Sequence, residues 1–177
     1  MHPLLFLLGI PLAGGIVLAL VGHREKAPEV NVGFSLGTFV AACVLTAQVI
    51  ADGPQFVWQR EFFIDPLNVF LVTLTAFVAL TTAIFSRPYM RVERDRGKMT
   101  PPRLRLYHSM YQLFSFTMLL ALTTNNMGII WVAMEAATLS TVLLVTLYRT
   151  PASLEAGWKY FILCGVGIAQ ALFGTIL

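Results

Sequence analysis

The sequence has 177 residues, of which 57% are apolar and only 12% are charged, and its formal net charge is +3. Soluble domains average about 25% charged and 45 to 50% apolar residues, so this composition predicts a protein that lies in a lipid bilayer. Lys and Arg fall between hydrophobic runs rather than on one aromatic-laced basic face, which argues against nucleic-acid binding.

Six apolar runs follow one another along the chain. Each approaches or exceeds the length of about 20 residues that an α-helix needs to cross a bilayer. We therefore predict an all-α fold, a polytopic transmembrane helix bundle that forms a single membrane domain over residues 1–177. The predicted spans are 3–21, 30–50, 66–85, 106–124, 126–148 and 151–177. The last run reaches Leu177 without a polar flank, so we expect the chain to be the N-terminal part of a longer protein.

Local signals mark two helix starts and one connection. Asp65-Pro66 and Thr150-Pro151 each place a capping side chain before a Pro at the first helical position. Residues 51–65 contain Trp58 and several phenylalanines but are too interrupted to span a bilayer. We predict an interfacial loop or short hairpin there, with these aromatic residues at the level of the lipid headgroups.

Basic residues are divided unevenly between the connections. Those after the first, third and fifth runs contain ten Lys or Arg residues, whereas those after the second and fourth contain only Arg60. The positive-inside rule then places the odd-numbered connections in the cytoplasm and the N-terminus outside. The arginine-rich stretch 87–105 could also bind lipid headgroups or a partner, and the two roles are compatible.

Two charged residues lie inside the apolar runs. Glu135 is near the middle of the fifth run, and Lys159 is in the sixth. A charged side chain at the centre of a bilayer costs about 2.5 to 3.5 kcal/mol on insertion scales. Both residues are therefore candidates for a functional site.

Helical periodicity gives the fifth run one polar seam. Residues 11 apart differ by about 20° around a helix, so Glu135 is predicted to share a face with Thr124 and Thr146. Thr138 lies one turn along. Small residues form a separate face suited to close helix packing: Ala133, Ala137 and Ser140.

The sixth run carries a seam of its own, formed by Glu155, Lys159 and Gln170. Polar groups in a membrane turn away from lipid, so we expect the two seams to face each other or water. The short link before Pro151 makes the two helices antiparallel neighbours, with Glu135 and Lys159 about 8 Å apart in depth. An ion pair between them, direct or through water, is one arrangement that this geometry allows.

We interpret Glu135 and Lys159 as proton-transfer sites. Burial raises the pKa of a carboxyl group and lowers that of a lysine, and a nearby opposite charge does the reverse. A pair close to that balance gains or loses a proton when its geometry changes, as a pump or antiporter requires. In the alternative interpretation, Glu135 only specifies packing and Lys159 pairs with Glu155 at i, i+4.

A second group of polar residues, His108, Gln112 and Ser115, lies at i, i+4 and i+7 near the start of the fourth run. It is either an access route for protons or an interfacial polar face. Thr138, Gln170 and His108 are therefore candidate accessory residues. The sequence has no Cys/His cluster, no nucleotide-binding glycine motif and no nucleophile constellation, so we predict neither a metal site nor catalytic residues.

The segment 125–177 carries a family resemblance in WVAMEA, LYRTPASLEA and WKYFILCGVGIAQALFG, and FFIDPLNVF matches more loosely. It resembles the antiporter-like membrane subunits of respiratory complex I, membrane-bound hydrogenases and multisubunit cation/proton antiporters, particularly the hydrogenase-4 component F type. The resemblance implies that Glu135 corresponds to the proton-transfer glutamate of the fifth helix and Lys159 to a lysine early in the sixth. The family's channel lysine in the seventh helix and its second inverted repeat are not in this sequence.

Such subunits carry no redox centre, so the resemblance implies no cofactor on this chain. It implies other membrane subunits as partners, together with soluble subunits that oxidise hydrogen, formate or NADH. It also implies a bacterial or archaeal cell (inner) membrane, which this chain crosses several times. The expected function is proton translocation by a non-redox subunit of an oxidoreductase complex. The alternatives are a secondary cation/proton antiporter subunit without a redox partner and a non-conducting membrane scaffold or fragment.

Overall fold

The computed structural model describes residues 3–177, which form six long α-helices and one β-hairpin. The elements are α1 (Pro3–Val21), α2 (Ala27–Asp52), β1 (Gln55–Val57), β2 (Phe62–Ile64), α3 (Pro66–Asp95), α4 (Pro101–Thr123), α5 (Met127–Val145) and α6 (Pro151–Ile176). A 3₁₀ turn, Thr146–Tyr148, follows α5. The predicted all-α, polytopic helix bundle is confirmed.

Five of the described helices, all except α4, are long and apolar enough to cross a membrane, by length and composition. The fourth helix carries a row of polar side chains that are nevertheless buried: His108, Ser109, Gln112, Ser115, Thr117 and Thr123. The helix packs against α1, α3 and α5, so it lies within the bundle in the place expected of the fourth span.

Two helices extend beyond the apolar runs at the end of the bundle where α1, α3 and α5 finish. The third helix continues to Asp95, past the predicted limit at residue 85, and α2 begins at Ala27 rather than at residue 30. The two extensions are joined because Glu29 of α2 forms ion pairs with Arg87, at 3.3 Å, and with Arg91. We call this end, with its links 22–26, 96–100 and 149–150, the basic end of the bundle.

The connection at the opposite end of α2 is the short hairpin that the sequence predicts. Its strands pair antiparallel with Phe56 opposite Phe63, and the turn contains residues 58–60, each with a positive φ. Trp58 is exposed, but Phe62 and Ile64 are buried in the main hydrophobic core. Phe62 therefore packs inward onto the helices, whereas Trp58 and Phe56 are exposed.

Both predicted capping signals are confirmed. The Asp65 carboxylate accepts a hydrogen bond from the backbone N–H of Asn68 at 2.7 Å. At the start of α6, the backbone N–H of Ser153 donates to the Thr150 hydroxyl at 3.1 Å, and the Ser153 hydroxyl accepts from the Thr150 backbone at 3.0 Å. This reciprocal capping box fixes the first turn of α6.

The hairpin is hydrogen-bonded to the link between α4 and α5. The backbone N–H of Asn125 donates to the Glu61 carbonyl at 2.7 Å, and its side chain donates to the Arg60 carbonyl at 3.1 Å. The Asn126 amide donates to the Glu61 carboxylate at 3.0 Å. The start of α5 is thereby joined to the connection between α2 and α3.

We expect Asn126→Ala to lower the free energy of unfolding by about 0.5 to 2 kcal/mol. The Asn126 side chain caps α5 by accepting from Gly128 N–H at 2.9 Å, and the substitution removes this bond together with the one to Glu61. Denaturant unfolding of the purified protein in detergent, followed by circular dichroism, measures the change. Asn125→Ala is the matched control, because it leaves the cap intact; an equal loss in both variants would contradict a capping role.

Candidate functional site

The candidate carboxylate, Glu135, lies in the middle of α5 and is half-buried. The predicted small-residue face of this helix is confirmed, since its three members are all buried: Ala133, Ala137 and Ser140. Glu135 follows Ala133 by two residues, which is about 200° around the helix, so it lies on the opposite side from that packed face.

The side of α5 that carries Glu135 is the side that meets α6. The Trp131 indole N–H donates to the Ile168 carbonyl at 3.1 Å. Near the other end of α5, Gly157 packs so closely that an added Cβ would lie 2.3 Å from Cγ2 of Thr146. Trp131, Glu135 and Thr146 recur at i, i+4 and i+15 and therefore form one stripe of the helix. The contacts also confirm that α5 and α6 are antiparallel neighbours.

The polar seam of α6 lies on the face that points away from α5. Gly157 is buried against α5, whereas Glu155, Lys159 and Gln170 are all exposed. Lys159 follows Gly157 by two residues, again about 200° around the helix. Of the two arrangements expected for the seams, facing each other or facing water, the first is therefore wrong. The small Gly157 takes the side toward α5 because it permits close approach, and this places the charged residues on the far side.

Lys159 forms its ion pair with Glu155, one turn earlier in α6, at 2.5 Å. Within residues 3–177, Glu135 has neither an ion-pair partner nor a hydrogen-bond partner. Since Trp131 lies opposite Ile168, Glu135 lies opposite residue 164, which is about 8 Å in depth from Lys159. The difference in depth between Glu135 and Lys159 thus agrees with the value predicted from the sequence. The two residues do not form a direct ion pair; Lys159 instead pairs with Glu155 at i, i+4.

The threonines of the predicted seam on the fifth run differ in their positions and hydrogen-bond partners. Thr124 precedes α5 and its hydroxyl donates to the Glu61 carbonyl at 3.3 Å, so it does not share a helix face with Glu135. The expected alignment fails because the helix is interrupted at Asn125 and Asn126. Thr138 is buried and its hydroxyl donates to the Met134 carbonyl of its own helix at 3.1 Å.

His108 belongs to a different part of the molecule. It is 1% exposed, and the residues around it come from the α1–α2 link, α2, α3 and α4. Gln112, one turn along, donates from Nε2 to Oδ1 of Asn31 at 2.8 Å and to Oγ of Ser35 at 3.0 Å. The row is thus buried against α2.

The α2 side of this buried polar region was not predicted from the sequence. Asn31, Ser35 and Thr38 are buried and recur at i, i+4 and i+7. That spacing of polar residues inside an apolar run is the same signal that identified the row on α4, and it was available in the sequence. In the described part of the chain, no three His, Cys, Asp or Glu side chains are grouped to hold a metal ion.

The fold and the site together define a multi-pass helical membrane protein with a lone carboxylate between two of its helices. No family model matches the chain. The chain is similar to a hydrogenase-4 component F homolog of Methylacidiphilum infernorum, with 47% identity over 94% of this chain and 34% of that protein.

Two further relatives are NADH-quinone oxidoreductase subunits. Subunit N of Thioalkalivibrio sulfidiphilus is 24% identical over 97% of this chain and 34% of its own length. Subunit L of Neisseria meningitidis serogroup B is 26% identical over 95% of this chain and 28% of its own. These similarities confirm the resemblance to antiporter-like membrane subunits that the sequence motifs indicated. The chain spans about a third of the length of the curated relatives it matches.

Proposed function

We propose that the full-length protein is a proton-translocating membrane subunit of a hydrogenase-4-like or complex I-like oxidoreductase. Electron transfer in its partner subunits would be coupled to proton movement through this subunit, which itself carries no redox cofactor. The observation that carries the proposal is the half-buried Glu135, which lies without an ion-pair partner within residues 3–177 on the face of α5 that meets α6. The similarity to hydrogenase and NADH-quinone oxidoreductase subunits supports the same function.

A carboxyl group in this position can hold one proton and release it. An apolar environment disfavours the ionised carboxylate, whereas a positive charge that approaches the group stabilises the carboxylate. A positive group that moves toward Glu135 therefore promotes release of the proton, and its withdrawal promotes uptake.

We infer that Lys159 is the second proton-transfer site and acts on the other side of α6. Lys159 and Glu155 are about two-thirds exposed in the described structure, at 68% and 65% of their side-chain area. Charged groups facing lipid are costly, so this stripe is suited to being covered by other helices of the full-length protein. Gln170 lies on the same stripe and Thr138 beside Glu135, and both are accessory candidates.

The charge distribution supports an orientation in the membrane. Ten of the twelve Lys and Arg residues lie at or beside the basic end of the bundle. By the positive-inside rule, we propose that this end faces the cytoplasm and that the N-terminus lies outside. A bacterial or archaeal inner membrane is part of the same proposal.

Reconstitution of the intact complex into sealed vesicles tests the function. Oxidation of the complex's electron donor is expected to acidify or alkalinise the vesicle interior, and the pH change should vanish when the subunit is left out. A secondary antiporter would instead exchange protons for sodium ions across the vesicle membrane with no electron donor present. Donor-independent exchange together with no donor-driven pH change would refute the proposal in favour of that alternative.

A further inference from the structure

A cluster of buried polar atoms lies between α2, α3 and α4, on the other side of the bundle from the α5–α6 pair. Four of its atoms have no hydrogen-bond partner among the described residues: both ring nitrogens of His108, Nδ2 of Asn31 and Oε2 of Glu29. His108 and Asn31 are each 1% exposed. A buried polar atom without a partner costs about 1 to 3 kcal/mol, and native proteins bond nearly all such atoms.

Two small cavities adjoin this cluster. The first, of about 10 Å³, is lined by His108 and by Met90, Arg91 and Arg94 of α3. The second, also of about 10 Å³, lies deeper in the bundle and is lined by Gln112 and Ser115 of α4 and by Ser35 and Thr38 of α2. A cavity needs at least about 10 to 15 Å³ and two to four polar partners to hold one water molecule, so each of these two cavities is at the size that admits one.

The two cavities are joined by polar side chains rather than by apolar packing. His108, Gln112 and Ser115 recur at i, i+4 and i+7 on one face of α4. Between the cavities, Gln112 donates to Oδ1 of Asn31 at 2.8 Å and to Oγ of Ser35 at 3.0 Å. We call these five residues, together with Glu29 at the basic end, the polar column.

We propose that the polar column is a binding site for internal water, with one molecule at His108 and a second between Gln112 and Ser115. A water in the first cavity can bond one ring nitrogen of His108: it donates to that nitrogen where the nitrogen is unprotonated and accepts from it where the nitrogen carries the proton. The charged groups that face His108 are Arg24 and Glu25 from the α1–α2 link, Glu29 from α2, and Arg91 and Arg94 from α3.

The polar column lies near the basic end and involves neither Glu135 nor Lys159. It stands independently of the function proposed for Glu135.

Radiolytic footprinting of the full-length protein in lipid nanodiscs tests the site, because radicals formed from a bound water oxidise the side chains beside it. Met90 and Met99 are a matched pair, since they are 5% and 4% exposed and belong to the same apolar cluster. Met90 lines the His108 cavity and Met99 does not. We expect Met90 to be oxidised several-fold faster than Met99; equal rates, or a faster rate at Met99, would overturn the proposal.

A variant shows whether His108 holds the water. His108→Leu should remove the excess oxidation of Met90, whereas His108→Gln, which keeps polar atoms in place, should retain part of it. An unchanged excess in His108→Leu would contradict the role of His108. If that variant does not fold, the comparison of Met90 with Met99 in the wild-type protein still decides whether water is bound. Proton pumping enters none of these measurements, so their outcome is separate from the test of Glu135.

Discussion

Replacing Glu135 by Gln in the full-length protein is expected to lower proton pumping by about a hundredfold or more, the scale on which positioned acid–base groups contribute. Glutamine has nearly the same shape as the protonated acid but cannot release a proton. Glu135 has no ion pair or hydrogen bond to lose within residues 3–177, so the bundle should assemble normally. Pumping is measured as protons moved per electron pair in reconstituted vesicles, and assembly by native electrophoresis of the complex.

Asp95→Asn is the matched control for this prediction. It also removes one negative charge, but Asp95 is exposed at the basic end. Its ion pair is with the neighbouring Arg94, at 3.7 Å. We expect its pumping to equal that of the wild type. Normal pumping in Glu135→Gln would remove Glu135 from the proton path, while an equal loss in both variants would point to a general effect of charge.

Gly157→Val is expected to destabilise the α5–α6 pair by about 1 to 3 kcal/mol, as overpacking does in close-packed interiors. An added Cβ at residue 157 would lie 2.3 Å from Cγ2 of Thr146 and 3.8 Å from the Val142 carbonyl oxygen. The clash pushes α6 away from the stripe of α5 that carries Glu135. We therefore expect pumping to fall together with the thermal unfolding temperature of the purified protein in detergent.

Gly165→Val separates this packing effect from the general effect of removing a helix glycine. Gly165 is in the same helix, and no atom lies within 4 Å of the position its Cβ would take. This control should unfold at or near the wild-type temperature. Equal destabilisation of the two variants would show that the contact between Gly157 and Thr146 does not hold the helices together.

Local features of the sequence predicted the elements of the fold well. Helix length and hydropathy identified all six helices, and the capping roles of Asp65 and Thr150 depend only on residues within one turn. The small-residue face of α5 was also predictable, because Ala133, Ala137 and Ser140 recur at helical spacing and are all buried. These predictions succeed because each depends on helical periodicity or on a capping residue, and both can be read from a short segment of the sequence.

The direction in which each seam points was not predictable in the same way. Periodicity shows that Glu155, Lys159 and Gln170 share a face, but the neighbouring helix decides whether that face is buried. In α6, the close contact of Gly157 with Thr146 turns the Gly157 side toward α5 and the side with Lys159 away from it. The surroundings of His108 likewise depend on Glu29 and Arg91, residues distant in sequence that the helix packing brings together.

The hydrogen bonds between the hairpin and the start of α5 have a mechanical consequence. Sliding α5 along its axis would break the bonds from Asn125 and Asn126 to Arg60 and Glu61, whereas a tilt about this end leaves them in place. In such a tilt, displacement grows with distance from the fixed end. Glu135 lies nine residues from Asn126, about 13 Å along the helix, and the 3₁₀ turn at Thr146–Tyr148 lies farther still. In such a tilt, α5 is held at its start and moves most at the basic end. A movement there displaces the Glu135 carboxylate in the same direction but over a shorter distance.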